Sequence, residues 1–219
     1  MHTTSLKSLF LTLLLLPTVL LAETGVSSVA DLQHEWAITN YELSGKAQVE
    51  AFSALIERAD QAVTAHPESA ELLIWNGIIK SSYAGAKGGL GALKMAKAAK
   101  KSLEKALELD PQALDGSAYA SLGTLYYKVP GWPLGFGNDK KAVQLLEKAL
   151  EINPDGIDSN YFYGDLLLEK KDYKKAEEYL LKAKHANPRP GRELADIGRQ
   201  QEIQLALTLV RDKMKRSRS

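Results

Sequence analysis

Residue types that catalyse reactions or bind metals are few in this sequence, and they are scattered along it. The four histidines (His2, His34, His66 and His185) never pair with a second ligand at helical spacing, and cysteine is absent. The lack of cysteine excludes disulfides, zinc-thiolate sites, cysteine nucleophiles and a lipoprotein anchor. No serine falls beside a histidine and an acid in a recognisable nucleophile motif. We therefore expect no catalytic residues, no metal site and no cofactor.

The most distinctive stretch for binding is 129–138, where prolines and glycines prevent helix and strand alike. Trp132 and Phe136 lie within it, and Tyr126 and Tyr127 come just before it. Large aromatic side chains on a loop either pack back onto the protein or offer a contact surface. Both interpretations stay open at this stage. They are compatible, because a rigid loop loses less entropy when it binds.

The elements that must position this loop are predicted to be helices arranged in pairs. An alanine is followed five residues later by a proline four times, at Ala62–Pro67, Ala106–Pro111, Ala149–Pro154 and Ala183–Pro188. Proline cannot continue a helix, so each pair indicates where a second helix of a hairpin ends. Gly77, Gly123 and Gly164 lie in the preceding helices, where a small residue lets two helices approach closely. We expect Gly164 to lie opposite Ala176.

This pattern divides the chain into five segments. Residues 1–22 are expected to be a signal peptide, and 23–69 a degenerate N-terminal helical hairpin. Residues 70–190 are expected to hold three repeats, two of them with expanded connections between their helices, at 81–99 and around 129–138. Residues 191–214 are predicted to form a capping helix that covers the last repeat. Residues 215–219 form a basic tail.

The stretch 157–190 resembles one complete tetratricopeptide repeat, with Gly164, Ala176, Ala183 and Pro188 at the signature positions of a unit of about 34 residues. The resemblance implies an all-α fold, a right-handed solenoid of helical hairpins closed by a C-terminal capping helix. It also implies a concave groove that binds a protein or peptide segment, and it implies no chemistry of its own.

Residues that face this groove follow from the family's repeat positions. In the two later repeats the resemblance places Tyr127, Asp158, Tyr161 and Asp165 in the groove, with Trp132 and Phe136 at its rim. This acidic and tyrosine-bearing end suits an amphipathic segment with a basic end. The alternative is that Asp158 caps its helix and Tyr161 packs between helices.

Three arginines stand near the start of the predicted capping helix. Arg189, Arg192 and Arg199 surround Asp196 in the sequence. We expect them to pair with acids of the preceding repeat and so to fix the cap. The alternative is that one of them anchors an acidic group of a partner.

Narrower resemblances bear on the function. Segments such as YKVPGWPLGFGNDKKA and RPGRELADIGRQ look like a group of small exported proteobacterial tetratricopeptide proteins. The glycine-rich stretch before a lysine- and alanine-rich helix is similar to the periplasmic T-component of TRAP transporters. We therefore expect a non-enzymatic adaptor that binds a protein or peptide. The alternative is a solute-binding accessory protein that encloses a small apolar ligand.

Export is predicted from the first residues. Lys7 precedes an apolar run, and Ala22 suits the position before a cleavage site. The alternative is an uncleaved anchor, which Pro17 and the shortness of the run disfavour, because a membrane span needs about 20 apolar residues. We expect a periplasmic protein without stable membrane insertion after cleavage. The nearly balanced charge, 28 basic against 27 acidic residues, argues against nucleic acid as a partner.

Overall fold

A computed structural model describes residues 26–217, except for the side chain of Leu90. The predicted signal peptide and the last two residues of the tail lie outside this part. Its helices are α1 (Val29–Tyr41), α2 (Gly45–Ala65), α3 (Ala70–Lys87), α4 (Gly89–Leu109), α5 (Ala113–Lys128), α6 (Asp139–Ile152), α7 (Ile157–Glu169), α8 (Tyr173–Lys184) and α9 (Glu193–Arg216). Within residues 26–217, none of these helices is both long and apolar enough to cross a membrane.

The helices form stacked hairpins in two layers, which confirms the all-α solenoid. The pairs α1–α2, α3–α4, α5–α6 and α7–α8 pack as hairpins, and α9 packs on α8. The first helices of the hairpins also touch one another in sequence, α1 on α3, α3 on α5 and α5 on α7, so they form an inner layer. The alanines that precede the four prolines are fully buried or nearly so, which explains why no larger residue stands there.

Close helix crossings within three hairpins depend on glycine. A Cβ atom added to Gly77, Gly123 or Gly164 would lie 2.6, 2.7 or 2.9 Å from Cγ of Leu103, Leu146 or Leu180, respectively. The atoms nearest to a Cβ on Gly164 belong to Leu180, one helical turn further along α8 than the expected partner Ala176. Ala176 is fully buried in the same apolar cluster as Leu180.

The predicted expanded connection at 81–99 is also wrong. Helix α3 continues to Lys87 and α4 begins at Gly89, so only Gly88 separates them. Gly88 and Gly89 have φ angles of 64° and 63°, a left-handed conformation that glycine adopts without steric cost. Gly85 and Gly91 lie inside helices. The glycines therefore permit a sharp break between two long helices and do not form a loop.

Residues 129–138 form the long connection between α5 and α6, and its backbone is tightly held. The Gly137 amide donates to the Pro130 carbonyl at 2.9 Å, and the Asn138 amide donates to the Tyr126 carbonyl at 2.8 Å. A Cβ atom on Gly137 would lie 1.9 Å from the Val129 carbonyl oxygen, so no other residue fits there. The loop is consequently a fixed structure in which the peptide between Trp132 and Pro133 is cis.

Helix α9 does more than cap the last repeat, because it also contacts α1. Ala195 is buried in the same apolar cluster as Leu32 and Trp36 of α1. A Cβ atom on Gly198 would lie 2.3 Å from a ring carbon of Tyr41, so glycine permits this contact. The inner layer therefore closes into a ring of five helices, α1, α3, α5, α7 and α9, and the predicted concave groove becomes the interior of that ring.

Candidate functional site

The ring encloses a central cavity of about 1030 Å³. Side chains from α1, α3, α4, α5, α7 and α9 form its wall, and the 129–138 loop contributes Val129, Pro130 and Leu134. Binding sites for small organic molecules commonly have volumes of roughly 300–1,000 Å³, so this cavity could hold one such molecule. It is too small for a folded partner.

One part of the wall has unusual backbone geometry. Leu114 and Asp115 have φ angles of 49° and 54°, and Gly116 follows at 75°. The helical part of α5 therefore begins after a short left-handed turn. A left-handed conformation costs a leucine or an aspartate energy that the surrounding structure must offset. Leu114 and Asp115 both face the cavity, so the turn helps to shape it.

An ion-pair group closes one end of the cavity. Asp158 accepts hydrogen bonds from Arg189 at 2.5 Å and from Arg199 at 2.8 Å. Arg189 also pairs with Asp196 at 2.6 Å, and Arg199 pairs with Glu202. The expectation that arginines near the cap pair with an acid of the preceding repeat is confirmed. Asp158 therefore joins α7 to α9 through salt bridges.

Burial and neighbouring charges shift the pKa values of these groups in opposite directions. Burial alone would raise the pKa of Asp158, but the positive charges of Arg199 and Arg189 outweigh it and lower the pKa to about 2. Burial raises the pKa of Glu202 despite the nearby Arg199. Arg199 is only 7% exposed, and its guanidinium also stacks on the rings of Tyr161 and Phe162 at 4.4 and 4.7 Å. Asp158 and Arg199 are thus held charged and fixed.

Arg192 differs from the two other arginines of this group. Its guanidinium lies 4.9 Å from the centre of the Trp75 ring and faces the cavity. Its Nε atom is buried and has no acceptor, and Nε1 of Trp75 also lacks one. Within residues 26–217, no carboxylate forms an ion pair with Arg192. Burial, and secondly the charge of Arg189, lower its pKa, although the charges of Asp158 and Asp196 act against this shift.

Tyr127 and Asp165, two of the predicted groove residues, meet outside the cavity wall. The Tyr127 hydroxyl donates to Asp165 at 2.8 Å, and Lys128 pairs with Asp165 at 2.8 Å and with Glu169. Burial, and secondly the Asp165 charge, raise the pKa of Tyr127 well above its usual value. Lys128 therefore neutralises the acidic group that was expected to receive a basic partner.

The two loop aromatics have different surroundings. The Phe136 ring packs edge-on against Tyr126, with 5.5 Å between ring centres, and so anchors the loop to α5. Trp132 is 90% exposed, and Leu134, at the cavity, is 72% exposed. The packing interpretation therefore holds for Phe136, whereas Trp132 is exposed among residues 26–217 and its binding role stays a prediction.

Of the six predicted contact residues, only Asp158 lines the cavity. Tyr161 stacks on Arg199 behind the wall, and Trp132 and Phe136 lie on the loop without facing the cavity. Their role in partner binding stays a prediction. Sequence reasoning missed Trp36 and Trp75 as cavity residues. The sequence offered one signal for Trp75, because an aromatic residue stands at this aligned position of the repeats. Among residues 26–217, no three metal-ligating side chains converge.

Comparison with known proteins gives the following matches. A tetratricopeptide-repeat family model matches residues 134–197, and a second one matches residues 90–113. A crystal structure of MamA has 18% identity and a TM-score of 0.47, covering 87% of this chain and 97% of its own. A MamA structure from Desulfovibrio magneticus RS-1 has 16% identity and a TM-score of 0.44, covering 89% and 100%. No curated protein matches the sequence.

Proposed function

Because this chain is a tetratricopeptide-repeat protein, we propose that it is an exported, non-enzymatic scaffold that binds a partner protein through the 129–138 loop. Tetratricopeptide repeats support a role in protein interaction in general. The observation that carries the finer proposal is the exposed Trp132 on a backbone that is already fixed. Large aromatics at protein interfaces commonly contribute much of the binding energy, and a fixed loop loses little entropy when it binds.

The geometry favours the loop over the groove as the partner surface. Asp158 and Asp165 are paired with cations of this chain. A basic partner segment would therefore have to displace Arg189, Arg199 or Lys128. Among residues 26–217, the contact between α9 and α1 joins the two ends of the inner layer, so the concave face surrounds the cavity. Trp132 and Leu134 are accessible without any such rearrangement.

We expect Trp132→Ala to abolish capture of the partner without loss of the fold. The exposed indole contributes little to stability, whereas truncation of an interface aromatic costs about 2 kcal/mol or more, roughly a 30-fold loss of affinity. Photocrosslinking from a residue of the loop, in the native envelope, followed by mass spectrometry measures the captured protein. Trp132→Phe is the matched variant and should keep part of the capture.

A second exposed apolar surface provides the competing outcome. Ile197, Leu205 and Leu209 of α9 are 58, 72 and 47% exposed and lie at helical spacing. Leu205→Ser removes the centre of this stripe. Loss of capture in Leu205→Ser but not in Trp132→Ala would move the docking surface from the loop to α9 and contradict the proposal.

Export is the other part of the proposal. We expect cleavage after Ala22, which leaves Glu23 as the first residue of the mature protein. N-terminal sequencing of the protein from the envelope fraction measures this directly. A mature protein that still begins at Met1 would mean that the apolar run acts as an anchor.

A further inference from the structure

The cavity wall has an apolar region and an end that carries three arginines. This asymmetry restricts the kind of ligand more than the volume of the cavity does. Ala92, Leu93 and Ala96 of α4, together with Ile78 of α3 and Leu125 of α5, form apolar wall. Arg189, Arg192 and Arg199 stand together at the α9 side. A molecule that fills this space would contact apolar side chains in one region and, at the α9 side, these guanidinium groups together with Asp158 and Glu202.

The ion pairs at the α9 side leave one buried hydrogen-bond donor without an acceptor, Nε of Arg192. Asp158 is shared by Arg189 and Arg199, Asp196 pairs with Arg189, and Glu202 pairs with Arg199. Arg192 has no such partner among residues 26–217. Asp158 and Asp196 lie close enough to stabilise the charge of Arg192, but its buried Nε–H has no acceptor. An anion that entered the cavity would supply this acceptor. The planar guanidinium suits a carboxylate, because it can donate two parallel hydrogen bonds.

We infer that the central cavity binds an amphipathic monocarboxylate, with its carboxylate at Arg192 and its hydrocarbon chain among the apolar side chains of α3, α4 and α5. A wholly apolar ligand, the alternative expected from the sequence, would leave the Nε–H of Arg192 without an acceptor. The site is separate from Trp132, which does not face the cavity. Ligand binding and partner capture can therefore succeed or fail independently.

Decanoate is the probe for this site, and decanol is the uncharged molecule of the same chain length. We expect isothermal titration calorimetry to show saturable binding of one decanoate per protein. Decanol should bind about tenfold more weakly, since a hydrogen bond between charged groups is worth roughly a factor of ten or more in affinity. Arg192→Gln should weaken decanoate about tenfold and leave the affinity for decanol unchanged.

Two further variants test whether decanoate binds inside the cavity and at Arg192. Arg211→Gln is the matched control, because Arg211 lies on α9, the helix that Arg192 directly precedes, and pairs with Glu177 on α8. It should bind decanoate normally. Ser81→Phe fills part of the cavity from α3, where the serine hydroxyl bonds only the Ile78 carbonyl of its own helix. It should reduce the binding of both probes while circular dichroism shows the unaltered helical content.

The opposite results would overturn the inference. Equal affinity for decanoate and decanol, or an unchanged decanoate affinity in Arg192→Gln, would show that no charged recognition occurs at this residue. Absence of saturable decanoate binding to the unaltered protein would reject the ligand class. Normal binding in a folded Ser81→Phe protein would place the ligand outside the cavity.

Discussion

Replacement of Asp158 with alanine is expected to lower the free energy of unfolding by about 3 kcal/mol. Removal of one partner of a buried ion pair costs roughly 3–5 kcal/mol, because it leaves the other charge buried without compensation. Arg199, only 7% exposed, would lose one of its two carboxylates and Arg189 one of its two. Since Glu202 still contacts Arg199, we expect the lower end of that range. Urea denaturation near neutral pH measures the change.

Two controls separate the ion pair from a general effect of the substitution. Asp155→Ala removes an exposed carboxylate three residues away and should change the stability by less than about 0.5 kcal/mol. Asp158→Asn keeps the size of the side chain and should lose most of the same stability, because the negative charge is still missing. An Asp158→Ala protein as stable as the unaltered one would contradict the structure of this group.

Acid sensitivity gives an independent measurement on the same residue. The pKa of Asp158 is lowered to about 2 in the folded protein, against about 3.9 in an unfolded chain. The carboxylate therefore stabilises the fold above about pH 4, and this contribution is lost as the pH falls toward 2. The stability difference between the unaltered protein and Asp158→Ala should accordingly shrink across this window.

Replacement of Trp75 with alanine is expected to cost about 3–5 kcal/mol, the usual range for removal of a buried large aromatic side chain. Trp75 is 3% exposed. Its ring lies 5.6 Å from that of Trp36 in an edge-on arrangement and is covered by Arg192 on the cavity side. The substitution thus removes packing from α1, α3 and α9 together. Thermal and urea denaturation followed by circular dichroism measure the loss.

Trp132→Ala is the matched control for Trp75→Ala. The same atoms are removed, but from a side chain that is 90% exposed. We expect a change of less than about 0.5 kcal/mol. If the two substitutions destabilised the protein equally, Trp132 would have to be packed, and its role as a partner contact would lose its basis.

Much of the fold follows from local sequence patterns. The alanine and proline pairs predict where helices α2, α4, α6 and α8 end, because proline stops a helix and alanine allows a close crossing. The connection at 81–99 was mispredicted, because four glycines indicate a loop by composition. Only the position of each glycine decides the outcome: Gly88 needs a positive φ angle, whereas Gly85 lies within α3 without such a need.

The site was less predictable, because it depends on contacts between distant parts of the chain. The hydrogen bond of Tyr41 to Glu202 spans 161 positions. Whether α9 reaches α1 depends on the accumulated rotation of all the repeats between them, which no local pattern specifies. The pairing of Arg189 and Arg199 with Asp158 was predictable from neighbouring repeats. The position of Arg192 on Trp75 was not, because it requires ring closure.

The closure of the ring also changes how the repeats unfold. In a linear solenoid each repeat contacts only its neighbours, so the two ends fray independently and stability is nearly a sum of local terms. Here Ala195 and Gly198 of the last helix are buried against Leu32 and Tyr41 of the first. Detachment of α1 must therefore break contacts of α9, and the reverse, so we expect these two helices to unfold in one cooperative unit. Residues 26–217 are therefore expected to unfold as one closed domain, although they are built from units that elsewhere form open arrays.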